Sequence, residues 1–206
     1  MSGITRWIGV SAVVAATAAV LAVPASAHSA APPVPGPQKV VRPLALNCQH
    51  PLLVLDEVVA EITATFPGRV AVGEPIRTTG FGVAVTLDRA VVTGLALVGA
   101  ATVEGTAVAG VDLDVNGTEI GIALPGLTFP ATPVAPHQTA DLAITGPVPA
   151  FTVKRPGVVR IGIGDGVTVT VTPRRADGTL TGLGVFDVPC RVAPGQDLAM
   201  ATIPVT

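Results

Sequence analysis

The chain has no tyrosine, a single tryptophan at position 7, and no serine after Ser29. Each absence excludes a class of activity. Without serine there is no G-x-S-x-G nucleophile elbow, so a serine hydrolase is ruled out beyond the N-terminal segment. Without tyrosine, and with tryptophan only near the N-terminus, the usual aromatic platforms for sugars and the usual anchors of tight protein interfaces are missing. Charge is equally sparse. Only 13% of residues are charged, the formal net charge is −2, and the basic residues do not cluster. Nucleic acid and anionic membranes both require a basic patch, so neither is an expected partner.

What is present is apolar and rich in turn formers: 49% hydrophobic residues, 23 glycines and 20 prolines. Disorder goes with low hydrophobicity and high net charge, so most of this chain is expected to fold. The N-terminus reads as an export signal. Arg6 supplies the positive region, Trp7 to Val23 is uncharged, Pro24 breaks the run, and Ala25-Ser26-Ala27 is an A-x-A site with cleavage after Ala27. The apolar stretch is marginal for a spanning helix, so no membrane span is expected after cleavage. Residues 28–43, with Pro32, Pro33, Pro35 and Pro37, read as an extended spacer.

From Leu44 to the end the signal is β. Short runs of Val, Ile and Thr alternate with Gly, Pro, Asn and Asp. Strands are expected over 53–65, 76–87 and 198–205. Residues 88–99 form the single credible helix, capped by Asp88, ended by Gly99 and weakened by Gly94. Asn116-Gly117 predicts a type I′ hairpin. Asp165-Gly166 and Asp177-Gly178 predict two further turns linking the runs 158–163, 167–172 and 179–186 into a meander. A short pattern recurs at Val70-Ala71-Val72-Gly73-Glu74, Val134-Ala135-Pro136-His137-Gln138 and Val192-Ala193-Pro194-Gly195-Gln196. Each copy reads as a turn leading into a strand.

Cys48 and Cys190 are the two cysteines. An even count in an exported chain favours a disulfide stapling the first strand region to the last. A free nucleophile paired with His50, or a metal thiolate, is the alternative reading. The implied architecture is an antiparallel β-sandwich, immunoglobulin-like in outline. It is not a true immunoglobulin domain, which needs a tryptophan buried against its disulfide.

The stretch Phe186-Asp187-Val188-Pro189-Cys190-Arg191-Val192-Ala193-Pro194-Gly195-Gln196-Asp197, with Pro67-Gly68-x-Val70-Ala71-x-Gly73-Glu74-Pro75-Ile76 and Gly99-Ala100-Ala101-Thr102-Val103-Glu104-Gly105-Thr106, resembles a domain of unknown function found in secreted actinobacterial proteins. The resemblance covers roughly Leu46 to Val205. It implies an exported β-sandwich with terminal paired cysteines, and it carries over no catalytic residue.

The remaining motifs have ordinary explanations. Asp112-x-Asp114-x-Asn116-Gly117 matches half a calcium loop, but the ninth and twelfth positions are Ile120 and Ala123, so no metal is expected. Asn116-Gly117-Thr118 is a formal glycosylation sequon that a tight turn explains without sugar. Asp56, Glu57 and Glu61 suit a solvated strand face better than a paired-carboxylate site. His137 reads as a loop residue, and no spacing supports a threonine nucleophile with His50 or His137 as base. The expectation is a secreted, non-enzymatic β domain of unknown specific function without cofactors, a binding or scaffold module for an extracellular or cell-wall partner. The alternative is a secreted inhibitor or a β protein that binds an apolar ligand. N-terminal sequencing of the exported protein is expected to begin at His28; a sequence starting upstream of Pro24 overturns the leader reading.

Overall fold

The computed structural model describes residues 36–51 and 56–206. The Ala27 cleavage site, residues 28–35 of the spacer and the start of the strand expected from Leu53 lie outside the described residues. The elements are β1 (Gln38–Cys48), β2 (Asp56–Phe66), β3 (Pro75–Ile76), β4 (Thr79–Leu87), α1 (Arg89–Leu97), β5 (Thr102–Val115), β6 (Thr118–Pro133), β7 (Ala140–Ile144), β8 (Phe151–Thr152), β9 (Gly157–Arg174), β10 (Phe186–Val192) and β11 (Ala199–Val205). Among the described residues no helix is long and apolar enough to cross a membrane.

Eight strands run in one path, β6-β5-β9-β10-β1-β2-β4-β7, and every pairing along it is antiparallel. The two ends of the path then meet. Thr128 in β6 and Thr145 just after β7 exchange backbone hydrogen bonds of 2.7 and 2.9 Å. The result is a nearly closed barrel, in place of the two separate sheets of the expected sandwich. Closure satisfies edge groups that an open sheet leaves exposed. Strands β3 and β8 form a small separate ribbon.

The Asn116-Gly117 hairpin is present, with Asn116 at φ 55° and Gly117 at φ 84°. Asp165-Gly166 is not a turn. It lies inside β9, which runs unbroken for 18 residues. Along one edge β9 follows β5; along the other it pairs first with β11, through Gly162, and then with β10, from Gly166. The changeover needs a bend at close quarters, since a Cβ on Gly164 would lie 2.7 Å from the Gly110 carbonyl carbon. The glycine signal was real, but it marks a strand corner rather than a reversal. Asp177-Gly178 does make a turn, with the Gly178 N–H donating to the Arg175 carbonyl at 2.9 Å. The next strand starts only at Phe186, so the expected run over 179–186 and the three-strand meander give way to β9 followed by β10.

The spacer expectation also shortens. Gln38 to Pro43 belong to β1, in register with Phe66 to Glu61 of β2. Proline is tolerated at 43 because alternation from Ala45, whose N–H and C=O face away from β2, puts the Pro43 nitrogen on the same outer side. The helix is where Asp88 places it: the Asp88 carboxylate accepts the Val91 N–H at 2.9 Å. Val91, Val92 and Leu95 are buried, which holds so short a helix across one end of the barrel despite Gly94.

The closing seam depends on a residue without a side chain. A Cβ on Gly146 would lie 2.7 Å from the Gly126 carbonyl oxygen and 2.9 Å from the Leu127 Cα. Gly146→Val is therefore expected to lower unfolding free energy by about 2–3 kcal/mol, read from the urea midpoint; an unchanged midpoint would show that the seam tolerates separation.

Candidate functional site

Inward-facing positions follow the strand period of two. Leu44, Leu46 and Cys48 are buried on β1, and Val58 and Ala60 on β2. Most of these side chains belong to one continuous core with the inner face of α1. A second cluster lies where β11 packs on the N-terminal half of β9, around Phe66, Ile76, Val159 and Ile203.

The first core does not fill its barrel. An interior cavity of about 210 Å³ remains, and its lining comes from every strand of the path and from α1. Among the described lining residues only His50 and Thr78 have polar side chains; the rest are aliphatic, Phe, Met, Cys, Pro or Gly. The space has a compositional cause. Ala60, Ala64, Ala107 and Ala109 stand on the wall where larger aliphatics would project inward, and among the described residues there is no indole or phenol ring to fill it. An eight-stranded barrel is just wide enough to be filled by side chains or to hold one small ligand. At about 24 cal/mol per Å³ an empty space of this size would cost about 5 kcal/mol, comparable with the whole stability of a modest domain. Water gains little there, since a buried water needs two to four polar partners.

The disulfide is part of this wall. Cys48 and Cys190 are bonded to each other, lie directly opposite in the β1–β10 register, and are both buried. They hold the shortest pairing of the path, which spans only Leu46–Cys48 against Cys190–Val192. Closing a loop with sequence separation 142 contributes about 5 kcal/mol in the chain-entropy account. The Gln196 side chain lengthens the same seam. Its Oε1 accepts the Ala45 N–H at 2.7 Å, and its Nε2 donates to the Ala45 carbonyl at 2.8 Å and the Ala193 carbonyl at 2.9 Å. One amide group thus does the work of a strand residue. Arg42 adds an ion pair to Asp197 at 3.0 Å.

The other residues singled out from the sequence are not gathered together. Glu57 and Glu61 face outward on β2. His137 is exposed in its turn at φ 63°, with its N–H donating to the Thr93 hydroxyl. His50 reaches the cavity lining. Asp114 pairs with Arg160 at 2.8 Å and accepts the Gly117 N–H, as a hairpin residue does. Among the described residues no group of three or more His, Cys, Asp and Glu side chains is placed to hold a metal. Asp177, remote from the cavity, has its carboxyl held below the ordinary range by hydrogen bonds from the Thr179 hydroxyl and then the Thr179 N–H.

The molecule is thus a nearly closed antiparallel barrel with an apolar interior cavity and a cross-strand disulfide in its wall. The chain belongs to a family of unknown function, DUF6801, whose model matches residues 45–201, from the middle of β1 into β11. No curated protein and no solved structure matches it.

Ala107 is buried on the cavity wall. Ala107→Val is expected to raise the stability of ligand-free protein by about 1–1.5 kcal/mol, the gain from burying two further carbons in open space. A loss of about 1–3 kcal/mol, as overpacking produces, would show that no such space exists.

Proposed function

We propose that this is an exported, non-enzymatic binding protein that takes an apolar ligand into the interior of its barrel. The observation that carries the reading is the 210 Å³ cavity with its almost wholly apolar lining. A space that side chains leave open, and that water has little reason to enter, suits a hydrocarbon group. Export is supported by the A-x-A leader pattern at Ala25-Ser26-Ala27 and by the buried disulfide, which persists in an oxidising compartment. A binding role without chemistry is supported by the character of the interior, which offers His50 and Thr78 as its polar side chains and no acid–base pair. The resident end of the ligand is aliphatic, in keeping with a lining in which aliphatic side chains far outnumber the phenylalanines Phe66, Phe81, Phe129 and Phe186.

Delipidated protein with its disulfide intact is expected to rise in Tm by about 5–10 °C with 1-decanol at a hundredfold excess over its dissociation constant. A Tm that does not move at the solubility limit of 1-decanol overturns the reading. Binding is also expected to be weakened in Ala107→Val, which occupies part of the same space.

A further inference from the structure

A second concave surface lies against the first. It is a groove of about 750 Å³ between the inner face of the β5–β6 hairpin and the segment 148–155. Its floor is apolar, with Val111, Leu113 and Val115 alternating along β5, and with the half-exposed Ile120 and Ile122 on β6. Thr78, Val111, Leu124, Val148 and Ile161 line both the groove and the barrel cavity, so the two spaces adjoin across one layer of side chains.

The groove differs from the cavity in one respect. Lys154 and Arg155 line it, and none of its lining residues is acidic. Asp112 and Asp114 alternate onto the other face of β5, where Asp114 is occupied by Arg160. Among the described residues neither the Lys154 nor the Arg155 side chain takes part in an ion pair or a side-chain hydrogen bond. The adjacent pair Arg174–Arg175 is used quite differently: Arg174 donates to Glu104 and Gly178, and Arg175 to the Leu180 carbonyl. The basic pair of the groove is also held in place. Val153 before it is buried and its carbonyl accepts the Gly73 N–H at 2.9 Å. After it, the Asn116 side chain accepts the Val158 N–H at 2.8 Å and donates to the Pro156 carbonyl at 3.4 Å. Two unengaged cations on an anchored loop, over an apolar floor that adjoins an apolar chamber, form a site with one charged end and one hydrocarbon end.

We infer that the ligand is a single-chain anionic amphiphile, with its carboxylate or phosphate head on Lys154 and Arg155 in the groove and its hydrocarbon tail passing between the shared wall residues into the barrel. The inference rests on the apolar-ligand reading above and adds the head group and its location. Both cations donate charge-assisted hydrogen bonds to such a head, and the guanidinium does so in bidentate fashion.

The test is isothermal titration of exported protein with decanoate, decyl phosphate and 1-decanol at low ionic strength. At least one anionic ligand is expected to bind about tenfold more tightly than 1-decanol, the ratio expected from one charge-assisted contact. Which of the two does so identifies the head group. The preference should shrink as salt is raised and disappear in Lys154→Glu/Arg155→Glu, while 1-decanol binding stays unchanged. Both residues are exposed loop positions, and Lys154→Ala/Arg155→Ala provides a milder variant with the same expected direction. If 1-decanol and both anions bind equally, or the preference survives both double variants, the head-group assignment is wrong although the apolar reading stands. If none of the three binds, the apolar reading itself fails.

Discussion

The apolar inner face of a single sheet has to be covered, and this chain supplies almost nothing else to cover it. Among the described residues one short helix packs on the core, and β11 with the β3–β8 ribbon shields another part. The remaining inward side chains can leave water only by facing one another across the sheet's own curvature. Closure of the strand path is therefore the constraint on which the rest depends. It explains the glycine at the Thr128–Thr145 seam, the glycine corner in β9, and the concentration of covalent and side-chain bonding on the short β1–β10 pairing.

Bonding is heaviest at the shortest pairing along the strand path. Between β1 and β2 eleven register pairs hold the strands without assistance. Between β1 and β10 there are three, and there the disulfide, the Gln196 amide and the Arg42–Asp197 ion pair all fall. The ion pair is partly exposed and worth little in water. The amide and the disulfide matter more, because they reinforce a pairing of only three residue pairs. The cavity then follows from closure and composition together: eight strands set the circumference, and a lining with four alanines and no indole or phenol ring leaves the interior incompletely filled.

Local structure was largely legible from residue order. Asp88 caps a helix, Asn116-Gly117 turns a hairpin, and the three repeated segments do begin with one kind of turn. Gly73, His137 and Gly195 all have positive φ at the corresponding position, and the Glu74 and Gln138 N–H groups reach back to Ala71 and Ala135. Such features depend on a few neighbouring residues, so sequence alone can express them. Asp165-Gly166 misled for a reason within the same physics. A glycine beside an aspartate suits a turn and suits a strand corner equally, and only the closeness of Gly110 and Cys190 separates them. Likewise Gln38 to Pro43 gives no strand signal by itself; the partner β2 makes it one.

By itself the sequence determined the predominance of β structure, the helix that Asp88 caps, the Asn116-Gly117 hairpin and the pair of cysteines available for a bond. Each of these is written in residue identity or short-range periodicity. Tertiary structure alone decided that the strands join into a nearly closed barrel, that the cysteines meet across adjacent strands on its inner wall, that a cavity survives among the aliphatics, and that Lys154 and Arg155 stand over an apolar groove beside it. Whether a sheet closes, and whether its closed interior is filled, depends on which strands pair and on the summed volume of side chains from distant parts of the chain. No local window of the sequence contains that sum.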